Sequence, residues 1–263
     1  MVRANGVDLS LTDEGRGPAV LMLHETAATA AVWAPLSEAL SGGMRAIAHD
    51  RRGWGRSEAP AGYTATSVEE QAEDAAALLA ALGVESAVLC GSGLGAVAAL
   101  DLVLRGDPLV TGAVLIEPPL LALLPEATEG LSSDRAAIES ALREGGLAAA
   151  ADLYRAGGLA HLGAGAGRIP AEISAAARDR PRTLFAELGA VPSWSLRLER
   201  MEANRVPCLL VTSPSTPEVL SRAAERLGER LRAAEPAEVG GEGLPQIGGV
   251  GDLAGLLRSL AGL

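Results

Sequence analysis

Four side chains at the ends of apolar runs carry most of the chemistry this sequence can offer: His24, Glu25, Ser92 and Glu117. Ser92 stands in a tight cluster, Gly91-Ser92-Gly93-Leu94-Gly95. A serine hydroxyl is a weak nucleophile until a base within hydrogen-bond reach takes its proton and a third group orients that base. The histidines are His24, His49 and His161. His24 and His49 close neighbouring apolar runs, so either could lie near Ser92, although a buried, hydrogen-bonded structural imidazole is the simpler expectation. His161 reads as exposed. For Glu117 a solvated loop end competes evenly with catalysis. All 22 basic residues are arginine, which removes Schiff-base and lysine general-base chemistry. Cys90 and Cys208 fall in predicted strands and read as small buried hydrophobes.

The elements that must position these groups alternate. Residues 7–11 read as an edge strand, and 19–23, 44–48, 87–90 and 112–116 as buried strands. Helices are expected over 30–40, over 67–82 behind a Ser67-Val68-Glu69-Glu70 capping box, and from the glycine cluster to 105. Gly83 occupies the C-cap place. Strand and helix joined by short links indicate a mostly parallel sheet with helices on both faces. Beyond Pro118 only helices are expected, over 134–144, 147–156, 171–178 and 181–188, with glycine-rich joints such as 163–167. A strand at 206–212, a helix at 218–231, a short strand near 237–239 and a helix at 250–260 close the chain.

Composition bounds the function. With 263 residues, 48% of them hydrophobic, the chain can bury a large core, yet three Trp, two Tyr and one Phe leave that core to Ala, Leu and Val. A net charge of −11 argues against nucleic acid or an anionic membrane as partner. The N-terminus lacks the apolar segment of a secretory signal, and the longest uncharged run, 86–100, is too short to span a membrane. The expectation is a cytoplasmic protein with a small-molecule ligand or substrate, no metal and no cofactor. Oligomeric state is left open.

Strand, sharp glycine turn and helix at 87–105 resemble the nucleophile elbow of the α/β-hydrolase superfamily. The loop His49-Asp50-Arg51-Arg52-Gly53-Trp54-Gly55-Arg56-Ser57 resembles that family's Asp-Arg-x-Gly-x-Gly-x-Ser loop, and His24 with Trp33 resembles its His-Gly…Trp stretch, with Glu25 in place of the glycine. The resemblance covers essentially the whole chain. It implies an α/β-hydrolase core at 1–117 and 205–263, with an all-helical lid at 118–204 inserted after the sixth strand.

The resemblance also implies where a Ser-acid-His triad would stand, and those positions hold Gly93, Thr216 and Gly243. Ser92 lies one residue before the nucleophile slot. What the family pattern leaves is its oxyanion hole, the backbone N–H groups of Thr26 and Leu94, which bind negative charge whatever the side chains are. Three readings stay open. The first, preferred because Glu25, Thr26 and Ser92 keep polar chemistry on the pocket floor, is a non-hydrolytic enzyme performing proton transfer, cyclisation, isomerisation or elimination on a small apolar metabolite. The second is a catalytically silent binding or regulatory protein. The third is an atypical hydrolase using Ser92 with His24 or His49.

Overall fold

The computed structural model describes the backbone of residues 1–263 and all side chains except those of residues 176–178. Strands β1 (Val2–Ala4) and β2 (Val7–Leu9) form an antiparallel hairpin, and β3 (Leu11–Gly15), β4 (Ala19–Leu23), β5 (Arg45–His49), β6 (Ala87–Ser92), β7 (Val110–Ile116), β8 (Cys208–Thr212) and β9 (Ala234–Glu238) form one sheet. Its order is β3-β5-β4-β6-β7-β8-β9, with β3 antiparallel and the rest parallel. The helices are α1 (Ala34–Leu40), α2 (Val68–Ala81), α3 (Leu94–Arg105), α4 (Thr128–Arg155), α5 (Ala171–Arg178), α6 (Pro181–Leu188), α7 (Ala190–Ser193), α8 (Leu198–Ala203), α9 (Glu218–Gly228), α10 (Pro245–Gly248) and α11 (Val250–Leu260). None of these is long and apolar enough to cross a membrane.

The apolar runs are continuous because both sheet faces are covered. In β4, Leu21 and Leu23 face one core with Leu78 and Val97, while Val20 and Met22 face the other with Leu36 and Leu253. That alternation is the period-two pleat of a strand buried on both sides. At the sheet margin β9 pairs only with β8, so the ladder tolerates Pro236 there.

Three boundaries differ from expectation. The predicted 7–11 strand divides at Ser10, whose N–H donates to the Ser57 hydroxyl at 2.8 Å: before it β2 pairs with β1 across a tight turn at Asn5 (φ 43°) and Gly6 (φ 81°), and after it β3 pairs with β5. The polar stretch Asp13-Glu14-Gly15, expected to end a strand, continues β3, since an edge strand can turn charges to water. With the hairpin counted, the helical insertion follows the seventh strand of the chain, not the sixth. Within the insertion α4 is interrupted at Gly146, whose φ of 71° is non-helical, so it is two helices meeting where the separate runs at 134–144 and 147–156 place the break.

The Ser67 hydroxyl accepts the Glu70 backbone N–H and caps α2. The reciprocal half of the capping box is absent: the Glu70 carboxylate instead accepts from Arg52 and from the Thr66 hydroxyl. Ser67→Ala is expected to cost about 1 kcal/mol, read as a shift in the urea midpoint at unchanged slope.

Candidate active site

The site forms where β6 hands over to α3. Gly93 sits in that turn with φ 54° and ψ −123°, a conformation open chiefly to glycine. Close packing demands the next glycine as well: a Cβ on Gly95 would lie 2.2 Å from the Leu23 carbonyl oxygen, so only glycine lets α3 approach the end of β4. The space above Gly93 is already filled. A Cβ built there would stand 2.7 Å from the Cβ of Glu25. Gly93→Ser is therefore expected to destabilise the protein by about 1–3 kcal/mol through strain and overpacking, and to give no gain in hydrolysis of an activated ester over the unsubstituted protein, measured by thermal unfolding and by ester turnover.

The Glu25 carboxylate accepts a hydrogen bond from the Ser92 hydroxyl and from the Gln246 side-chain amide, whose nitrogen lies 3.3 and 3.1 Å from the two oxygens. The same amide reaches the Ser92 hydroxyl oxygen at 3.3 Å. Burial pushes the Glu25 pKa above its usual value. The Ser92 hydrogen bond and Glu25's own amide oppose that rise, and the charge of Glu117 adds to it. Glu25 reaches into the cavity more than Ser92, which is 3% exposed. Gln246 is a residue of this cluster that the sequence did not reveal: it is wholly buried, on a four-residue helix, with no motif around it.

Above this floor lies a cavity of about 240 Å³, roofed by the helical insertion. Leu120, Leu162, Ile169, Leu188, Val191 and Trp194 supply apolar wall, and Glu25, Thr26, Ser92, Gly93, Leu94 and Glu117 line the polar side. Among the described residues, neither the Thr26 nor the Leu94 backbone N–H is hydrogen-bonded to an acceptor. Both can meet a carbonyl oxygen that gains charge.

Glu117 is no solvated loop end. It is 5% exposed and holds a positive φ of 48° at the end of β7. Arg168, from the insertion, grips its carboxylate with both terminal nitrogens, one at 2.9 Å, and donates to the Gly243 carbonyl at 3.1 Å. The Thr216 hydroxyl donates to Glu117 at 2.6 Å. Thr216 and Gly243, expected to meet a ligand, thus contact the Glu117–Arg168 pair and do not line the cavity.

The histidines are not brought to Ser92. His24 is wholly buried; its Nε2 accepts the Arg51 backbone N–H at 3.0 Å and its Nδ1 lies 2.7 Å from the Glu25 carbonyl oxygen. Burial, then the nearby Arg51 charge, pushes its pKa well down, so the ring is neutral and spent on holding the Glu25 turn. His49 is buried too, its pKa pushed down to about 3 by the same two causes, burial first. His161, expected to be exposed, is half-buried and lines the cavity. The Asp50-Arg51-Arg52 loop reaches beyond its own turn. Arg51 pairs with Glu187 of α6, both buried, and Glu187 also accepts from Trp54 Nε1 at 2.7 Å and the Thr26 hydroxyl at 2.8 Å. Arg52 pairs with Asp74 and Glu70 of α2.

A family model described as the alpha/beta hydrolase family matches residues 20–247. A 2-(acetamidomethylene)succinate hydrolase of Mesorhizobium japonicum is 31% identical over 241 residues, covering 89% of this chain and 83% of that protein. An epoxide hydrolase of Caballeronia sordidicola is 43% identical over 96 residues, 36% of this chain and only 29% of that protein. Of solved structures, an esterase from Exiguobacterium antarcticum has a TM-score of 0.77 at 19% identity, covering 100% of this chain and 98% of its own. An enol-lactonase from Burkholderia xenovorans has a TM-score of 0.71 at 20% identity, covering 99% and 98%. At such identities these two share the fold alone.

Proposed function

The chain belongs to the α/β-hydrolase family, and we propose that it is a hydrolase without a Ser-acid-His triad, in which the Glu25 carboxylate activates water against a small apolar ester or lactone. The observation that carries this is the Glu25 side chain standing over Gly93, in the space a nucleophile there would occupy. In this reading Gly93, Thr216 and Gly243 are the emptied triad positions. The substrate carbonyl oxygen sits against the Thr26 and Leu94 amides. Water attacks the carbonyl carbon while Glu25 takes one of its protons. The tetrahedral intermediate then collapses, its C–O bond to the leaving group breaks, and Glu25 returns the proton to the departing alkoxide. Ser92 and Gln246 orient the carboxylate from behind.

Two features favour this over Ser92 as nucleophile. Ser92 is the more deeply buried of the pair, and among the described residues its side-chain partners are Glu25 and Gln246, with no histidine. The proton transfers first expected from the sequence would use the same Glu25 on a carbon acid. The reaction type in the relatives' names, hydrolysis, tips the reading to water.

The test is a panel of neutral alkyl esters and lactones assayed in ¹⁸O-water, alongside fluorophosphonate labelling. Turnover with ¹⁸O in the released acid and no adduct on Ser92 are expected. Ser92→Ala should keep measurable turnover but move the acid limb of the pH profile upward, because it deletes a hydrogen bond that lowers the Glu25 pKa. Stoichiometric labelling of Ser92 would instead assign the nucleophile to the serine.

A further inference from the structure

We propose that Glu117 sets the charge selectivity of the cavity: by pairing with the terminal nitrogens of Arg168 it makes the site reject anionic ligands and accept uncharged ones. This rests on the reading that the cavity takes the substrate, but not on which group attacks it.

The charges at the cavity are unevenly matched. Glu25, Glu117 and Glu187 line it from the acidic side, and Arg168 is the one arginine among the described lining residues. Glu187 is satisfied by Arg51 from behind. Arg168 spends its terminal nitrogens on Glu117 and on the Gly243 carbonyl. Glu25 receives only neutral donors, Ser92 and Gln246. An entering carboxylate therefore meets an uncompensated Glu25 and finds both terminal nitrogens of Arg168 engaged, while the unpartnered Nε is buried. In an apolar, lid-covered cavity such like-charge approach is poorly screened.

The placement of Glu117 is itself held against resistance. A φ of 48° is unusual for a residue with a side chain, and it persists because Arg168 and the Thr216 hydroxyl both grip the carboxylate. If the pair served only to fasten the insertion to the core, its charge would have no bearing on what the cavity binds. With selectivity as its role, Glu117→Gln keeps the volume and the Thr216 hydrogen bond, but removes one charge and one arm of the fork. Arg168 is then left partly unpaired beside the ligand. A fork of this kind suits a carboxylate in both charge and geometry.

Binding of unreactive probes separates the possibilities. At about pH 8, where hexanoate is ionised, 1-hexanol and hexanoate are titrated into the full chain and read by tryptophan fluorescence and thermal shift. Trp194 lines the cavity, whereas Trp33 and Trp54 are wholly buried. Wild-type protein should bind hexanol about tenfold or more tighter than hexanoate. Glu117→Gln should gain about tenfold for hexanoate with hexanol little changed, and Arg168→Gln added to it should abolish the gain. Equal binding of the two probes by wild-type protein overturns the proposal whether or not the variant folds. So does a folded Glu117→Gln that still binds hexanol and gains nothing for hexanoate. Because no turnover is read, either result leaves the role of Glu25 to its own test, and a failure of that test leaves this one standing.

Discussion

Glu25→Gln is expected to lower turnover by about 10²- to 10⁴-fold, the usual worth of a positioned general base, with circular dichroism and binding of the uncharged probe hexanol unchanged. Glutamine keeps the size of the side chain and can still accept from Ser92, but it cannot take a proton from water. In wild-type protein the base works only when ionised, so activity should rise with pH along a limb lying above the usual carboxylate value of 4.5, because burial raises the Glu25 pKa. Stability runs the opposite way. The folded state holds the Glu25 proton more tightly than the unfolded chain does. Its contribution is complete below about pH 4.5 and is lost as pH rises through the folded-state pKa. Glu25→Gln removes that loss. The variant should therefore be at least as stable as wild-type at neutral pH while inactive, measured by urea unfolding between roughly pH 4 and 8. Full activity in a folded Glu25→Gln protein would rule out the proposed chemistry.

Glu187→Leu is expected to destabilise the protein by about 3–5 kcal/mol, the cost of leaving a buried charge without its partner. Arg51 and Glu187 have side-chain exposures of 1% and 0%, so no water can replace the lost carboxylate. The loss also strands Trp54 Nε1 and frees the Thr26 hydroxyl. Since Thr26 offers one of the two amides proposed to hold the oxyanion, residual activity should fall more in kcat than in KM. The contrast is Glu58→Ala on the surface, where the Arg3 pair is water-exposed and the expected change is about 0–1 kcal/mol. A shift of similar size in both variants, read from denaturant midpoints, would show that Glu187 is not the tie between insertion and core.

These two carboxylates mark where legibility in the sequence ends. The strand at 19–23 is legible from five consecutive apolar residues, and His24 and Glu25 follow directly at its end. Glu25 stood out because a charged residue occupied a place where the family resemblance expects glycine. Its contact with Gln246, 221 residues away in sequence, had no local signature. Glu187 lay inside a helix correctly expected at 181–188, where an acidic residue reads as a solvated face; nothing nearby announced that Arg51, 136 residues earlier, would bury it. Arg168 follows the glycine-rich joint at 163–167 with no local signature of its own, yet it supplies the partner of Glu117. The histidines misled for a related reason. Their position at strand ends was right, but whether a ring nitrogen is free depends on which backbone groups reach it, and Arg51 reaches His24 first.

What the sequence by itself determined is the α/β architecture and the turn at Gly93. Each is written in near neighbours: apolar periodicity, and a glycine where the backbone must turn left-handed. Only the tertiary structure decided which polar groups meet. Burying a charge is costly unless a partner arrives, so the pairs Glu25–Gln246, Glu117–Arg168 and Glu187–Arg51 exist only once sheet, insertion and C-terminal loop have closed on one another.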